Sequence, residues 1–247
     1  MKLLLIGPTQ WRRFLADRAE SAGHAIVGSE TAESVEEVAD RAAIADTIIE
    51  YVNGDSAQRC EVLNTLGHQA SSEALLLTSA LTCSVSRTAA FWVQPKQVVG
   101  YGMLPLLAEP QPRFVELAAG LESSEEYLSR AGEFWQSLAF DAVFVEDSPG
   151  LIRSRILCCL VNEAAFALMA DVATPEDIDQ AMRLGTNYPV GPLKWADLMG
   201  VDFVLQVMTA LFEEWGEERY RPAPLLRRMV TAGWMGKDAG RGFYVYE

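Results

Sequence analysis

The sequence is poor in histidine and in positive charge, and each shortage excludes a class of function. It contains 2 histidines in 247 residues, and no group of His, Cys and Asp has the spacing of metal ligands, so we expect no metal site. Lys and Arg number 20 against 34 Asp and Glu, which gives a net charge of −14. A chain this acidic repels phosphate backbones, so we expect no nucleic-acid partner.

Long apolar runs and cysteine pairs are also lacking. No apolar stretch reaches the roughly 18 residues that a membrane-spanning helix needs, so no membrane partner is expected. The 4 cysteines include the neighbours Cys158 and Cys159 and form no C-x-x-C pair, which is typical of reduced thiols. The opening apolar run stops at Gly7 and is too short for a signal peptide. These features predict a cytoplasmic protein.

The first part of the chain alternates short apolar runs with amphipathic stretches. This alternation predicts βαβ units and a largely parallel sheet. The expected strands are 3–6, 25–27, 47–52, 74–78, 97–99 and 142–145, and the expected helices are 11–22, 32–42, 55–66 and 125–137. Gly23 and Gly67 stand where helix C-caps are expected.

After Pro149-Gly150 the pattern changes to helices alone. Helical periodicity covers 152–169, 201–215 and 223–232, while Thr174-Pro175 and Gly191-Pro192 are typical helix starts. Only the tail at 241–246 is expected to be extended. The predicted fold is therefore α/β followed by all-α, with a reduced Rossmann-like domain over 1–147 and a helical domain over 148–247.

Several motifs in the second half occur in the order found in a known family. They are Asp147-Ser-Pro-Gly150, Asn162-Glu163, Pro175-Glu-Asp-Ile-Asp179, Tyr188-Pro-Val-Gly-Pro192 and Gly240-Arg-Gly-Phe-Tyr244. Together they resemble the helical domain of the 3-hydroxyacyl-CoA dehydrogenases. The stretch Ala181-Met-Arg-Leu-Gly-Thr-Asn-Tyr-Pro189 especially resembles the shortened second unit of the phenylacetate-pathway enzymes. The resemblance implies an NAD-binding Rossmann domain in front, a helical dimerisation domain behind, and oxidation of 3-hydroxyacyl-CoA to 3-ketoacyl-CoA.

The expected cofactor site departs from the Rossmann pattern. A dinucleotide needs G-x-G-x-x-G after the first strand. Here the stretch Gly7-Pro-Thr-Gln-Trp-Arg12 keeps only Gly7. Glu30 ends the second strand, where an acid would hold the ribose hydroxyls, and Arg12 is expected on a solvated helix face. NAD is thus implied by the resemblance, while the turn argues against its binding.

The expected catalytic residues are also only partly present. The family's His falls on Gly102, and its orienting acid is preserved as Glu116. The resemblance places the substrate-binding Ser at Leu81, with Thr82 the nearest hydroxyl, and an Asn at Ser154. Glu116, Thr82 and Ser154 are therefore the candidate catalytic residues, while Gly7 and Glu30 are the candidate cofactor residues.

The two histidines do not replace the missing base. His24 and His68 precede strands, so we expect both at the amino edge of the sheet as surface turn residues. Ligands in open α/β sheets bind at the opposite, carboxyl edge.

Two functions stay open at this point. One is a degenerate, weakly catalytic or non-catalytic member that acts through association or acyl-CoA binding. The other is a working NAD-dependent 3-hydroxyacyl-CoA dehydrogenase. Apolar residues such as Leu160, Phe203, Met208 and Leu211 exceed what the helical domain alone is expected to bury, which predicts a homodimer through 148–247. A hetero-partner dehydrogenase is the alternative partner.

Overall fold

The computed structural model describes residues 1–30, 40–52, 57–104 and 113–246, which form two compact units. The first unit contains the described residues of 1–103 and 113–151. The second consists of residues 152–246 together with Leu104.

A seven-stranded sheet forms the first unit, in the order β2-β1-β3-β4-β5-β6-β7. The strands are β1 Lys2–Ile6, β2 Ala25–Glu30, β3 Thr47–Glu50, β4 Leu75–Ser79, β5 Val98–Gly102, β6 Phe114–Ala119 and β7 Asp141–Glu146. Every neighbouring pair is parallel except β5 and β6, so the prediction of a largely parallel sheet is confirmed. Because β1 lies between β2 and β3, the strand order reverses there, and such switch points bind ligands at their carboxyl ends.

Strand β6 is the one strand that the sequence pattern did not predict. It pairs antiparallel with β5 and parallel with β7, and its register places Glu116 opposite Gly102. Glu116 interrupts the apolar run of β6, so the hydrophobic pattern of the sequence does not predict this strand. The segment forms a strand because it pairs with both β5 and β7, and such pairing is a tertiary effect that local propensity does not show.

The helices of the described part of this unit are α1 Thr9–Ser21, α2 Ala57–Gln69, α3 Val85–Ala89 and α4 Glu125–Ser137. The predicted helix at 32–42 lies largely outside the described residues, as does the predicted start of the next one at 55. Two details of α2 correct the sequence prediction. His68 is exposed in its last turn rather than in a loop, and Gly67 is no cap. A Cβ at Gly67 would lie 3.2 Å from the Trp92 ring, so the glycine permits close packing.

The second unit is helical, as predicted. Its helices are α5 Arg153–Met169, α6 Pro175–Thr186, α7 Pro192–Met199, α8 Val201–Trp215 and α9 Pro224–Thr231. The predicted cap of α6 is present, since the Thr174 hydroxyl accepts the Asp177 N–H at 3.2 Å.

No single helix of the described ranges has both the length and the apolar character to cross a membrane. One pair, α7 with α8, meets those two criteria only when taken together, and it bends by 99° at the break.

The C-terminal tail is not a strand, which corrects the prediction of an extended segment. It forms isolated bridges between Gly236 and Arg241 and between Arg241 and Val245. The buried Asp197 of α7 holds this tail, because its carboxylate accepts the N–H groups of Phe243 at 2.8 Å and Tyr244 at 2.9 Å. The Tyr246 hydroxyl donates to the same carboxylate at 2.9 Å.

Replacing Asp197 with Ala should therefore lower the free energy of unfolding by about 2–4 kcal/mol, since two partly buried backbone N–H groups and the Tyr246 hydroxyl lose their acceptor. Urea denaturation followed by circular dichroism measures this. The exposed Asp238→Ala is the matched control, with an expected change within about 0.5 kcal/mol. Equal effects of the two substitutions would contradict the anchoring role of Asp197.

Candidate active site

Aromatic side chains cover the switch point between β1 and β3. Trp11, in the first turns of α1, stacks on Tyr51 with ring centroids 5.2 Å apart and planes at 23°. A Cβ at Gly7 would lie 3.0 Å from the Tyr51 carbonyl oxygen and 3.2 Å from the Trp11 ring. Gly7 therefore lets two aromatic residues approach the end of β1.

Arg12 lies across the carboxyl ends of β1 and β2, and not on a solvated helix face as the sequence predicted. Its Nε donates to the Gly7 carbonyl at 2.8 Å, and its Nη1 donates to the carbonyl and the hydroxyl of Ser29. Its Nη2 donates to the Thr9 hydroxyl at 3.3 Å. The guanidinium thus uses its donors on the protein itself, beside the position where Glu30 pairs with Ile6 at the end of β2. The Glu30 side chain lies outside the described part of the chain.

A buried ion pair joins β3, β4 and α2 at the same edge. The Glu50 and Arg59 side chains are 0% and 2% exposed, and Arg59 Nε lies 3.2 Å from Glu50 Oε1. The Thr78 hydroxyl donates to Glu50 Oε2 at 2.6 Å, and Arg59 Nη2 donates to the Ser79 carbonyl at 2.8 Å. Sequence reasoning missed this pair, although an acid that ends an apolar strand was a signal for it.

Two tyrosines complete this edge. Tyr101 donates to the Glu50 carbonyl at 3.2 Å, and Tyr51 donates to the Met103 carbonyl at 3.3 Å. Burial raises the pKa of both hydroxyls, so both act as protonated donors at neutral pH.

The predicted acid Glu116 lies directly beside Gly102. Glu116 is 4% exposed, and a Cβ at Gly102 would lie 3.0 Å from its Oε2. The same Cβ would lie 2.8 Å from a Leu151 methyl and 3.4 Å from a Leu81 methyl. The carboxylate and two apolar side chains therefore occupy the space that a side chain at position 102 would enter. Thr82 follows Leu81 in the chain and is buried.

Ser154 belongs to the second unit. It lies in the first turn of α5, is buried, and its hydroxyl has no hydrogen-bond partner among the described residues. The structure thus brings Gly102, Glu116 and Leu81 together and places Gly7 at the corner of β1 and β2.

His24 lies before β2 at the amino edge of the sheet, as predicted. Its Nε2 lies 2.8 Å from the Ser137 hydroxyl. In the described ranges, no three His, Cys, Asp or Glu side chains lie close enough to hold a metal ion.

This architecture, a mostly parallel sheet with a strand-order reversal at β1 followed by a helical unit, is that of a Rossmann-type α/β protein with an added helical domain. The family model for the NAD-binding domain of 3-hydroxyacyl-CoA dehydrogenase matches residues 16–148, and the model for its C-terminal domain matches residues 150–246. The chain belongs to the 3-hydroxyacyl-CoA dehydrogenase family.

Individual relatives agree with this assignment. The chain is 37% identical over 215 residues to the "Probable 3-hydroxybutyryl-CoA dehydrogenase" of Bacillus subtilis, covering 87% of this chain and 74% of that protein. It is 34% identical over 216 residues to the 3-hydroxybutyryl-CoA dehydrogenase of Bradyrhizobium diazoefficiens, covering 87% and 71%. The structure of (S)-3-hydroxybutyryl-CoA dehydrogenase PaaH1 from Ralstonia eutropha has a TM-score of 0.85 at 26% identity, covering 100% of this chain and 99% of that one.

The match to the NAD-binding domain begins at residue 16, after the turn that would contact the cofactor pyrophosphate. The residues of that turn do not fit a pyrophosphate. Pro8, the N-cap of α1, has no N–H to offer, and Arg12 stands at the third glycine position. The indole N–H of Trp11 is buried without a partner in the described part of the chain, so it gives this corner one unused donor.

Proposed function

We propose that this protein is a member of its family that binds an acyl-CoA and associates through its helical unit, without catalysing the NAD-dependent dehydrogenation. The observation that carries the proposal is the contact between Gly102 and Glu116. A glycine stands where the family resemblance expects the catalytic His, and the Glu116 carboxylate lies 3.0 Å from where that side chain would begin.

The missing base matters because dehydrogenation removes the hydroxyl proton as the hydride leaves. A positioned general base contributes roughly 100- to 10,000-fold to such a step. Gly102 supplies no base, and both histidines of the sequence lie elsewhere, His24 before β2 and His68 in the last turn of α2.

The geometry of the turn between β1 and α1 supports the expectation that a dinucleotide binds only weakly. A pyrophosphate normally accepts backbone N–H groups at the start of the first helix. Here Arg12 donates to Gly7, Ser29 and Thr9, and its side chain covers the ends of β1 and β2. A cofactor would have to displace these hydrogen bonds.

A working dehydrogenase is the second candidate function. It is supported by Glu116, which keeps a buried carboxylate at the carboxyl edge of the sheet, and by the dehydrogenase names of the relatives. In this case Glu116 itself would take the proton.

Turnover separates the two candidates. With 3-hydroxybutyryl-CoA and NAD, we expect no NADH absorbance above an enzyme-free blank. The matched variant is Glu116→Gln, which keeps the shape of the side chain and removes the carboxylate. Activity in the unmodified protein that disappears in this variant would contradict the proposal and make Glu116 the base.

Restoring the glycine turn tests the reason for weak cofactor binding. The double variant Thr9→Gly/Arg12→Gly recreates the spacing that begins at Gly7. It should bind NADH at least about tenfold more tightly, because one or two hydrogen bonds to a charged phosphate are worth that much. Titration calorimetry on folded samples measures the gain.

The control for this gain is Arg13→Gly, which removes the same charge and adds one glycine at an exposed neighbour in α1. An equal affinity in the double variant, the control and the unmodified protein would refute the steric explanation.

Association is proposed through the helical unit, as a homodimer. Phe203, Met208 and Leu211, which the sequence analysis counted toward an interface, are buried in the unit's own core. Other apolar residues stay available: Ile156 is 53% exposed, and Leu160, one turn further along α5 and on the same face, is partly exposed. Apolar groups on one face of an exposed helix favour a two-fold contact.

Light scattering at micromolar concentration should give twice the chain mass of 27.2 kDa. Ile156→Glu should give a monomer, because a carboxylate would be buried in the contact, whereas Val172→Glu in an exposed turn should leave the dimer intact. A monomer in the unmodified protein would contradict the homodimer. The hetero-partner dehydrogenase would then be the partner to test.

A further inference from the structure

The first unit has a cavity at the amino edge of its sheet, opposite the carboxyl edge described above. Its volume is about 340 Å³. It lies where β3 and β4 begin, because their first residues, Thr47 and Leu75, pair with each other and both line it. The amino-edge cavity is defined here by six of its lining residues: Thr47, Glu73, Ala74, Leu75, Arg130 and Glu133.

The floor of the amino-edge cavity is largely apolar. Ala74 and Leu75 are 0% and 1% exposed, so both belong to the core and offer the cavity a small apolar surface. Ligand pockets in proteins range from roughly 300 to 1,000 Å³, and this cavity lies near the lower limit. It therefore suits a small molecule with a short aliphatic group.

A buried hydroxyl group in the same floor has unused hydrogen-bonding capacity. Thr47 is 0% exposed, and its Oγ1 donates to Met1 Sδ at 3.9 Å, which is a weak acceptor. Among the described residues, no donor reaches this hydroxyl oxygen. Since buried polar atoms normally find partners, the hydroxyl can accept a hydrogen bond from a molecule in the cavity.

Charges of both signs surround the opening of the cavity. Arg130 and Glu133 lie one turn apart on α4, and Glu73 lies in the turn before β4. The Arg130 guanidinium donates to the Glu73 carbonyl at 3.0 Å and lies 4.7 Å from the Tyr127 ring centroid. In the described part of the chain, the guanidinium pairs with no carboxylate, and neither glutamate side chain has a hydrogen bond or an ion pair.

A molecule with both charges can pair with all of these groups at once. A simple cation would be attracted by the two carboxylates and repelled by the guanidinium, and a simple carboxylate would meet the reverse. A guanidinium also binds a carboxylate through two parallel N–H donors, which fixes its orientation. The charges of the cavity therefore favour a zwitterion.

We infer that the amino-edge cavity binds an α-amino acid with an aliphatic side chain. The carboxylate of this ligand lies against Arg130, its ammonium lies among Glu73, Glu133 and the Thr47 hydroxyl, and its side chain covers the apolar floor. The inference gives the first unit a ligand site at the edge of the sheet that this fold does not normally use, and it does not depend on the acyl-CoA binding proposed above.

Three probes with the same branched aliphatic body test the inference. L-Leucine carries both charges, 3-methylbutylamine carries only the ammonium, and 4-methylpentanoate carries only the carboxylate. Titration calorimetry of the full chain should give L-leucine a dissociation constant of about 1 mM or lower. Either analogue should bind at least about tenfold more weakly, because each lacks one charge-assisted hydrogen-bonding group.

Two variants remove the charges of the cavity. Arg130→Gln removes the guanidinium, and Glu73→Gln/Glu133→Gln replaces both carboxylates with amides of the same shape. Each variant should weaken L-leucine binding at least about tenfold, for the same reason.

The matched controls change the same charges at exposed positions of the first unit that do not line the cavity. They are Arg113→Gln for the guanidinium and Glu122→Gln/Glu125→Gln for the two carboxylates. Surface changes of this kind should alter L-leucine binding less than about twofold. Circular dichroism verifies that every variant folds.

The outcomes are distinct. No binding of L-leucine overturns the inference, and so does binding of 3-methylbutylamine or 4-methylpentanoate as tight as that of L-leucine. Equal L-leucine binding by the Arg130 variant and the unmodified protein also overturns it, because the ligand would then lie elsewhere. Loss of L-leucine binding in both cavity variants but not in the controls supports the site, whether or not an acyl-CoA binds.

Discussion

The antiparallel pairing of β6 with β5 is the constraint on which the candidate active site depends. Its register places Glu116 opposite Gly102, at the end of the parallel strands where the chemistry of this fold takes place. The carboxylate then lies where a side chain at position 102 would begin, and Leu151 closes the other side. The acid at position 116 and the glycine at position 102 therefore belong to one packing arrangement.

Side chains likewise close the turn after β1. Arg12 hydrogen-bonds to the Gly7 carbonyl, and Trp11 stacks on Tyr51. The buried Glu50–Arg59 pair nearby is tolerated because its hydrogen bonds are satisfied, among them the one from the Thr78 hydroxyl to Glu50.

The helical unit is held by well-defined hydrogen bonds. The Asp197 anchor and the capped start of α6 are both in place. The turn with Lys237 and Arg241 also packs on Asp197 through Gly236 and Gly242.

The sequence by itself determined the alternation of strands and helices, the all-helical second half and the absence of a base at Gly102. These features depend on local periodicity or on residue identity. Only the tertiary structure decided that 114–119 is a strand, that Arg12 turns back over β1 and β2, and that Glu50 pairs with Arg59. Each of these depends on a neighbour far along the chain or on the sheet edge where a side chain emerges, and local periodicity carries no information about either.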